Sequence, residues 1–435
     1  MNTPFYPHLV LAAVLLSFAA PYGRCADVAP AQPVIPDRTF KLTDYGAKGN
    51  GYTMNTDAIR SAIAAVNNAG GGTLVIPSGT YLTGALDLCS SLNLHLETNA
   101  TILFSPDPDE YLDGQRYRAL LRTSNCHDVM ISGNGTINGS GEAWWPAARI
   151  FKAQTTDQHV SSNTLPRPTM VAFNNSRRIC VQGILLTKAP VFNLVFYNCD
   201  DATADHIRIV NPSDTPNTDG IDALVSHRVL VTHCFIDTGD DGVAMSSSSA
   251  RGIQDILITD CTFGHGHGVA FGSETNGGCH NVIIRNCSFE NSTVGMVMKA
   301  NRTRGGPVDN IVFENLTMKN VGQAIIFTSY YPLREIPAIG AHIDPMPVGD
   351  LTPQWSNITI RNIVATGCTK NAGVIIGLPE APATNITLSN VTIEAPTGLR
   401  LGYAKDITLD NVTIKPDTGA PLIVEDTVEG MKQKP

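Results

Sequence analysis

Acidic and basic side chains recur at one place in successive repeats of this chain. Asp219 precedes Gly220, Asp241 precedes Gly242, His267 precedes Gly268, and Val294 takes that place before Gly295. Asp240 adjoins Asp241 in the same turn. With those glycines in register, a carboxyl, a carboxyl pair and an imidazole stand in one column. Glycoside hydrolysis needs such a set: a protonated carboxyl for the leaving oxygen, and a carboxylate that activates water or attacks the sugar. Three crowded aspartates cannot all ionise freely, so at least one is expected to hold its proton near neutrality. A histidine one repeat away can hydrogen-bond or tune that acid. Aspartate is common in turns, and a single pair would do no more than cap one. The column, rather than any one residue, points to catalysis.

Positioning a column requires a repeating scaffold. Cys234, Cys261 and Cys287 each close a short apolar segment (RVLVTHC, DILITDC, NVIIRNC), and Leu316 takes the same place in NIVFENL, at intervals of 27, 26 and 29 residues. Similar units continue at Asn357, Asn385 and Asp406. Each reads as β-strands separated by Gly, Asn and Asp turns. A period in the high twenties without helices predicts an all-β fold, a single-stranded parallel β-helix whose coils stack about 4.8 Å apart. One short helix is expected near the N-terminal end, over Asn55–Ala69, with Asn55 or Thr56 as N-cap. The cysteine column reads as an inward ladder of small thiols rather than cross-links. The recurring Asn-x-Thr triplets read as turn chemistry rather than glycosylation acceptors. Beyond the aligned glycines, Ile221, Val243, Val269 and Met296 point inward. Asp222, Ala244, Ala270 and Val297 point outward, as do Leu224, Ser246, Gly272 and Lys299 two residues later. Small outward residues make a shallow floor, with Lys299 as a nearby cation.

Composition agrees with that scaffold. Hydrophobic residues make up 43% of the 435 but aromatics only 6%, so small and β-branched side chains fill the core. Length alone would suggest two or three domains. A solenoid instead lengthens by adding coils, so residues 39–435 read as one catalytic domain. The net charge of −9 gives no general basis for binding nucleic acid. No metal-ligand cluster, phosphate loop or nucleophilic triad stands out, and no cofactor is expected. The apolar run Leu9–Ala20 is too short to span a bilayer and reads as the core of a signal peptide over residues 1–25, followed by a Pro/Ala linker over 26–38. No membrane span is expected later in the chain. The protein is expected to be a secreted monomer, extracellular or periplasmic.

From Phe40 to about residue 420 the chain resembles the polygalacturonase family of pectin-degrading glycoside hydrolases, family 28. The resemblance runs through FKLTDYGAKGNG, GGGTLVIPSGTYLTGAL, ISGNGTINGSGEAWW and PRPTMVAFNNSRRICVQGILL. It culminates in Asn217-Thr218-Asp219, Gly239-Asp240-Asp241, and His267-Gly268 within GHGHGVAFGSE. It implies a right-handed coil, a pectic polysaccharide substrate, and hydrolysis of α-1,4-linked galacturonic acid bonds with inversion. It implies that Asp240 is the general acid and that Asp219 and Asp241 position and activate the attacking water. His267 supports the acid, with His265 of the doubled GHGHG the lesser candidate, and Asn217 is a ligand or positioning group.

One motif departs from the family. The Arg-Ile-Lys set that grips the galacturonate carboxylate stands here as Val297-Met298-Lys299. Losing a bidentate guanidinium fork costs about 1.5–3 kcal/mol of interaction. Valine at an outward position suggests an apolar cleft wall. Either Arg302 or Arg304 compensates, or the site takes a related pectic polymer such as rhamnogalacturonan or xylogalacturonan. Tyr331 or its neighbour Tyr330 resembles a family tyrosine near the substrate. Trp144 and Trp145 read first as packing. The Pro-rich insertion Tyr331–Trp355 either walls off one end of the cleft or is a passive loop. Two other functions are weighed. A calcium-dependent lyase lacks an evident calcium loop here, and the retained carboxylates argue against a non-catalytic glycan-binding β-helix.

Overall fold

The computed structural model describes residues 29–114, 116–154 and 165–434. The expected signal peptide and the first residues of the linker lie outside them. Residues 29–38 run along the side of the molecule, where the Ala31 and Val34 backbone N–H groups donate to Asp201 and Asp128.

The fold is a right-handed parallel β-helix with three strands per coil. One coil reads Ile221–Leu224, His227–Thr232 and Phe235–Asp237. The first strand of each coil joins a 12-stranded parallel sheet that runs through the molecule. The other two make up the larger sheet, which bends between them. The core is built by register. Ile102, Ile137, Leu186, Ile209, Ile236, Phe263, Phe289 and Met318 stack one per coil, all buried. The Phe263 and Phe289 rings lie 4.9 Å apart. Burying a like residue on a like residue lets each added coil extend the same core.

The corners explain the recurring asparagines. Residues 206, 233, 260, 286, 315, 362, 390 and 411 occupy the same corner of successive coils, all with φ between 53° and 56°. Asparagine tolerates this left-handed conformation. From Asn286 onward each side chain also bonds its neighbour: Asn315 donates to Asn286 at 3.1 Å, Asn362 to Asn315 at 2.9 Å, and Asn390 and Asn411 continue. The residues just after the corner include Cys234, Cys261, Cys287 and Leu316, all buried. All described cysteines are free thiols.

Helix α1 covers Thr56–Asn68 and caps the N-terminal end of the core with Ile59, Ala62, Ile63 and Val66. Asn55 precedes it, but its side chain makes no cap and instead bonds the backbone of Lys48, Thr53 and Leu82. The structure adds a second helix that the repeat pattern conceals, α2 at Trp145–Gln154. It is amphipathic and short, buries Trp145 and Ala148, and leaves the coil stack as an excursion. Trp144 packs edge-on to Tyr117 at 4.9 Å, and Trp145 donates its indole N–H to the Ala189 carbonyl. Both tryptophans are therefore packing residues.

Candidate active site

The outer face of the 12-stranded sheet carries the column. Ile221, Val243, Val269 and Met296 pair in register, as do Asp222, Ala244, Ala270 and Val297 beside them. The glycines between turn and strand permit this close stacking. A Cβ on Gly220 would fall 2.4 Å from the Gly242 carbonyl oxygen, and one on Gly242 would fall 2.7 Å from that of Gly268. The backbone N–H groups of Gly220 and Gly242 donate to Asp241 and Gly268 of the next coil. Thr218 fixes the turns by accepting from the Gly239 N–H at 3.0 Å and pairing with Thr215 at 2.7 Å.

Four groups meet above this floor. Lys299 Nζ lies 3.0 and 2.8 Å from the two oxygens of Asp241. His267 Nδ1 lies 2.9 Å from Asp241 Oδ1 and 3.1 Å from Asp240 Oδ1. The Asp240 carboxylate also accepts the Asp241 N–H at 3.0 Å, and Asn217 Nδ2 lies 3.4 Å from its other oxygen. Asp219 and Asp241 are buried, whereas the Asp240 side chain keeps 25% of its surface open to solvent.

Burial and charge divide the carboxyls. Asp241 is held down at about 2: burial works to raise it, but the Lys299 charge and the hydrogen bond from His267 outweigh that. Asp219 is pushed well above the ordinary carboxylate range by burial, then by Asp240, Asp222 and Asp241. The crowded cluster therefore keeps a proton, as three neighbouring aspartates require. For His267, burial works to lower the pKa, but hydrogen bonds and charge from Asp240 and Asp241 carry it up to about 9.

A histidine raised from its ordinary 6.5 contributes stability that is fully present below pH 6.5 and is lost as pH rises through 9. Denaturation midpoints of the protein are expected to fall between those values, and His267→Gln is expected to flatten that decline. Urea titrations across the interval check this, and an equally steep loss in the variant would remove His267 as its source.

Two residues join the site that spacing did not single out for a role. Asp222, the outward residue two past Gly220, is buried, and its pKa is raised first by burial and then by Asp241 and Asp240. Asp219 Oδ1 and Asp222 Oδ2 are buried with no hydrogen-bond partner. Arg167 reaches in from the segment after α2. Its guanidinium donates to Asn217 Oδ1 at 2.9 Å and to the Pro190 and Pro216 carbonyls. Burial pulls its pKa to about 10, against the opposing charges of Asp219 and Asp240, so it stays cationic at neutral pH.

The remaining candidates separate by contact. His265 is held by Asp237, which accepts its backbone N–H and lies 2.9 Å from its Nδ1. That places it on the outer turn, without a bond to the three aspartates. The Tyr331 ring faces the site, 5.8 Å from Lys299 Nζ and 5.5 Å from the Arg304 guanidinium carbon. Tyr330 turns into an apolar cluster instead. Arg302 is clamped by Glu380 at 2.6 and 3.0 Å, whereas the nearest acidic oxygen to Arg304 is that of Glu274, at 4.0 Å.

Val297 does not form an open cleft wall. It is 3% exposed and packs with Ala270, Ile326 and Tyr330 in a cluster that Ile336 and Ile343 also contact. The insertion after Tyr331 thus lies over the outer face on the C-terminal side of the site. It is tied there by Ile343 N–H to Tyr403 Oη, Arg400 to the Pro337 carbonyl, and Gly305 N–H to the Leu351 carbonyl.

Comparison with known proteins agrees with this fold. The family model described as Glycosyl hydrolases family 28 matches residues 67–416, and that for Rhamnogalacturonase A/epimerase, pectate lyase-like, matches residues 39–94. A probable polygalacturonase of Vitis vinifera is 30% identical over 88% of this chain and 81% of its own length. A polygalacturonase of Juniperus ashei is 28% identical over 82% of this chain and 68% of its own. The crystal structure of a hyperthermoactive exopolygalacturonase from Thermotoga maritima superposes with a TM-score of 0.76 at 26% identity, covering 90% of this chain and 95% of that one.

Proposed function

Because the chain belongs to the glycosyl hydrolases of family 28, we propose that it is a secreted, monomeric polygalacturonase-like enzyme that cleaves α-1,4-linked galacturonic acid bonds in pectin with inversion. The observation that carries this reading is the Lys299–Asp241–His267–Asp240 chain of contacts beside buried Asp219. Asp240 is the most open of the three carboxyls and donates its proton to the leaving glycosidic oxygen. Asp241, kept ionised by Lys299 and His267, activates the attacking water together with Asp219. Burial, and then the neighbouring Asp240 charge, raise Asp219 well above the ordinary carboxylate range, so the crowded group holds a proton. His267 orients Asp240 and Asp241 through the same nitrogen, and Asn217 orients Asp240 from the other side.

Substrate class follows from the cations left free to meet a sugar carboxylate. Lys299 is largely engaged with Asp241, and Arg302 with Glu380. Arg304, stacked on Tyr331 and only loosely paired, faces the site and takes the place of the missing motif arginine. The burial of Val297 removes the apolar wall that would favour a different sugar, so homogalacturonan is the proposed substrate. The test is a panel of homogalacturonan, rhamnogalacturonan and xylogalacturonan scored for new reducing ends, with the first-formed anomer followed by NMR. Homogalacturonan is expected to react fastest and to release the β-anomer. Preference for a branched polymer would overturn the substrate, and an initial α-anomer would overturn inversion.

A further inference from the structure

A second cluster of chemistry-bearing side chains lies on the larger sheet. In the corner ladder, asparagine or aspartate holds the left-handed position from Asp260 to Asn411, but the two coils before them carry His206 and His233. Their rings stack 4.5 Å apart and within 8° of parallel. Asp205, the residue before the first, points one carboxylate oxygen at both: Oδ1 lies 2.5 Å from His206 Nδ1 and 3.8 Å from His233 Nδ1. Its other oxygen accepts from Gln182 at 2.9 Å, and Thr232 Oγ1 lies 2.8 Å from His233 Nδ1. One donor atom from each of Asp205, His206 and His233 falls within 4.8 Å of the others.

We propose that Asp205, His206 and His233 form a surface site for a borderline divalent metal of the zinc class. Two imidazoles and one carboxylate match the donors zinc takes, at roughly 2.0–2.2 Å each. Two nitrogen donors select against calcium and magnesium, which prefer all-oxygen shells. The two histidine side chains are more than half exposed, so small rotations bring the donors together and water completes the shell. The Gln182 bond holds the carboxylate in place, the usual outer-shell arrangement at metal sites. The ligands belong to adjacent coils, so the ion acts as a cross-strap in a solenoid whose described cysteines form no disulfides. The left-handed corner itself does not call for histidine, since asparagine serves the same backbone geometry with a ladder hydrogen bond.

The test uses the full chain and zinc chloride. Calorimetric titration is expected to show one zinc equivalent in the wild type that is lost in the double variant His206→Asn/His233→Asn. These substitutions restore the ladder residue and so preserve the corner. Each single variant is expected to bind roughly 100-fold more weakly, the upper end of what the loss of an outer-shell partner costs. Saturating zinc is expected to raise the unfolding midpoint of the wild type but not of the double variant, and calcium chloride to leave both unchanged. Equal zinc stoichiometry in wild type and double variant, or equal stabilisation by calcium, would overturn the assignment. Counting the difference between the two proteins excludes any zinc held by Asp240, Asp241 and His267.

Discussion

Asp240→Asn is expected to lower turnover on homogalacturonan by about 10²–10⁴-fold, the range general acid catalysis contributes, with the fold intact. The amide keeps the size of the carboxyl and an oxygen for the Asp241 N–H, which Asp240 Oδ1 now accepts at 3.0 Å. It cannot give a proton to the leaving oxygen. The unfolding midpoint should move little, because the Asp240 side chain is a quarter exposed and His267 keeps its bond to Asp241. The histidine offers an independent readout. Its pKa of about 9 depends on two carboxylates, so removing one should bring it down toward 6.5 in an NMR titration. Rate and pKa falling together would assign both roles to one side chain. Unchanged turnover would sink the acid assignment, and a fallen rate with an unmoved histidine would show that Asp241 alone holds His267.

What could be read beforehand followed the periodicity. Asp219, Asp241 and His267 precede glycines that must lie close to the next coil, so their column is visible once the repeat is aligned. The inward stack of Ile221, Val243, Val269 and Met296 is visible for the same reason. Asp222 was placed on the outward face by the same count, but nothing in spacing says that the space above it is closed, and closure is what raises its pKa. Arg167 has no periodic signal at all. It enters after α2, an excursion whose ten helical residues resemble neither strand nor turn, and it contacts a motif 50 residues later in the chain. Val297 shows the converse limit. Its outward direction is legible, but it is buried in an apolar cluster on which Ile336 and Ile343 pack, from an insertion whose path the coil pattern does not encode. The choice between Tyr330 and Tyr331 is open in sequence for the same reason: both lie in the bend after the strand that ends at Thr328, and only the path of the loop says which meets Lys299.

Lys299→Met is expected to cost about 3–5 kcal/mol, the penalty for leaving one member of a buried ion pair without the other. Lys299 and Asp241 side chains are 12% and 6% exposed, and both Asp241 oxygens face the ammonium. In the wild type, Asp241 at about 2 contributes stability that is present above its ordinary 3.8 and lost as pH falls through 2. Without the lysine, burial pulls its pKa upward against His267 alone. Once that pKa exceeds the unfolded value the sign reverses, and mild acidification should stabilise the variant where it weakens the wild type. Adding Asp241→Asn should recover most of the lost stability, since no unpaired charge then remains to be buried, and the coupling in this double-mutant cycle should be large. Turnover should not recover with it, because the amide cannot activate water. Chemical denaturation of the four proteins at pH 4 and pH 7, with reducing-end assays alongside, separates the outcomes. A double variant as unstable as Lys299→Met would mean that the loss does not come from an unpaired Asp241 charge. A double variant that regained both stability and activity would remove Asp241 from the chemistry and leave Asp219 as the group that activates water.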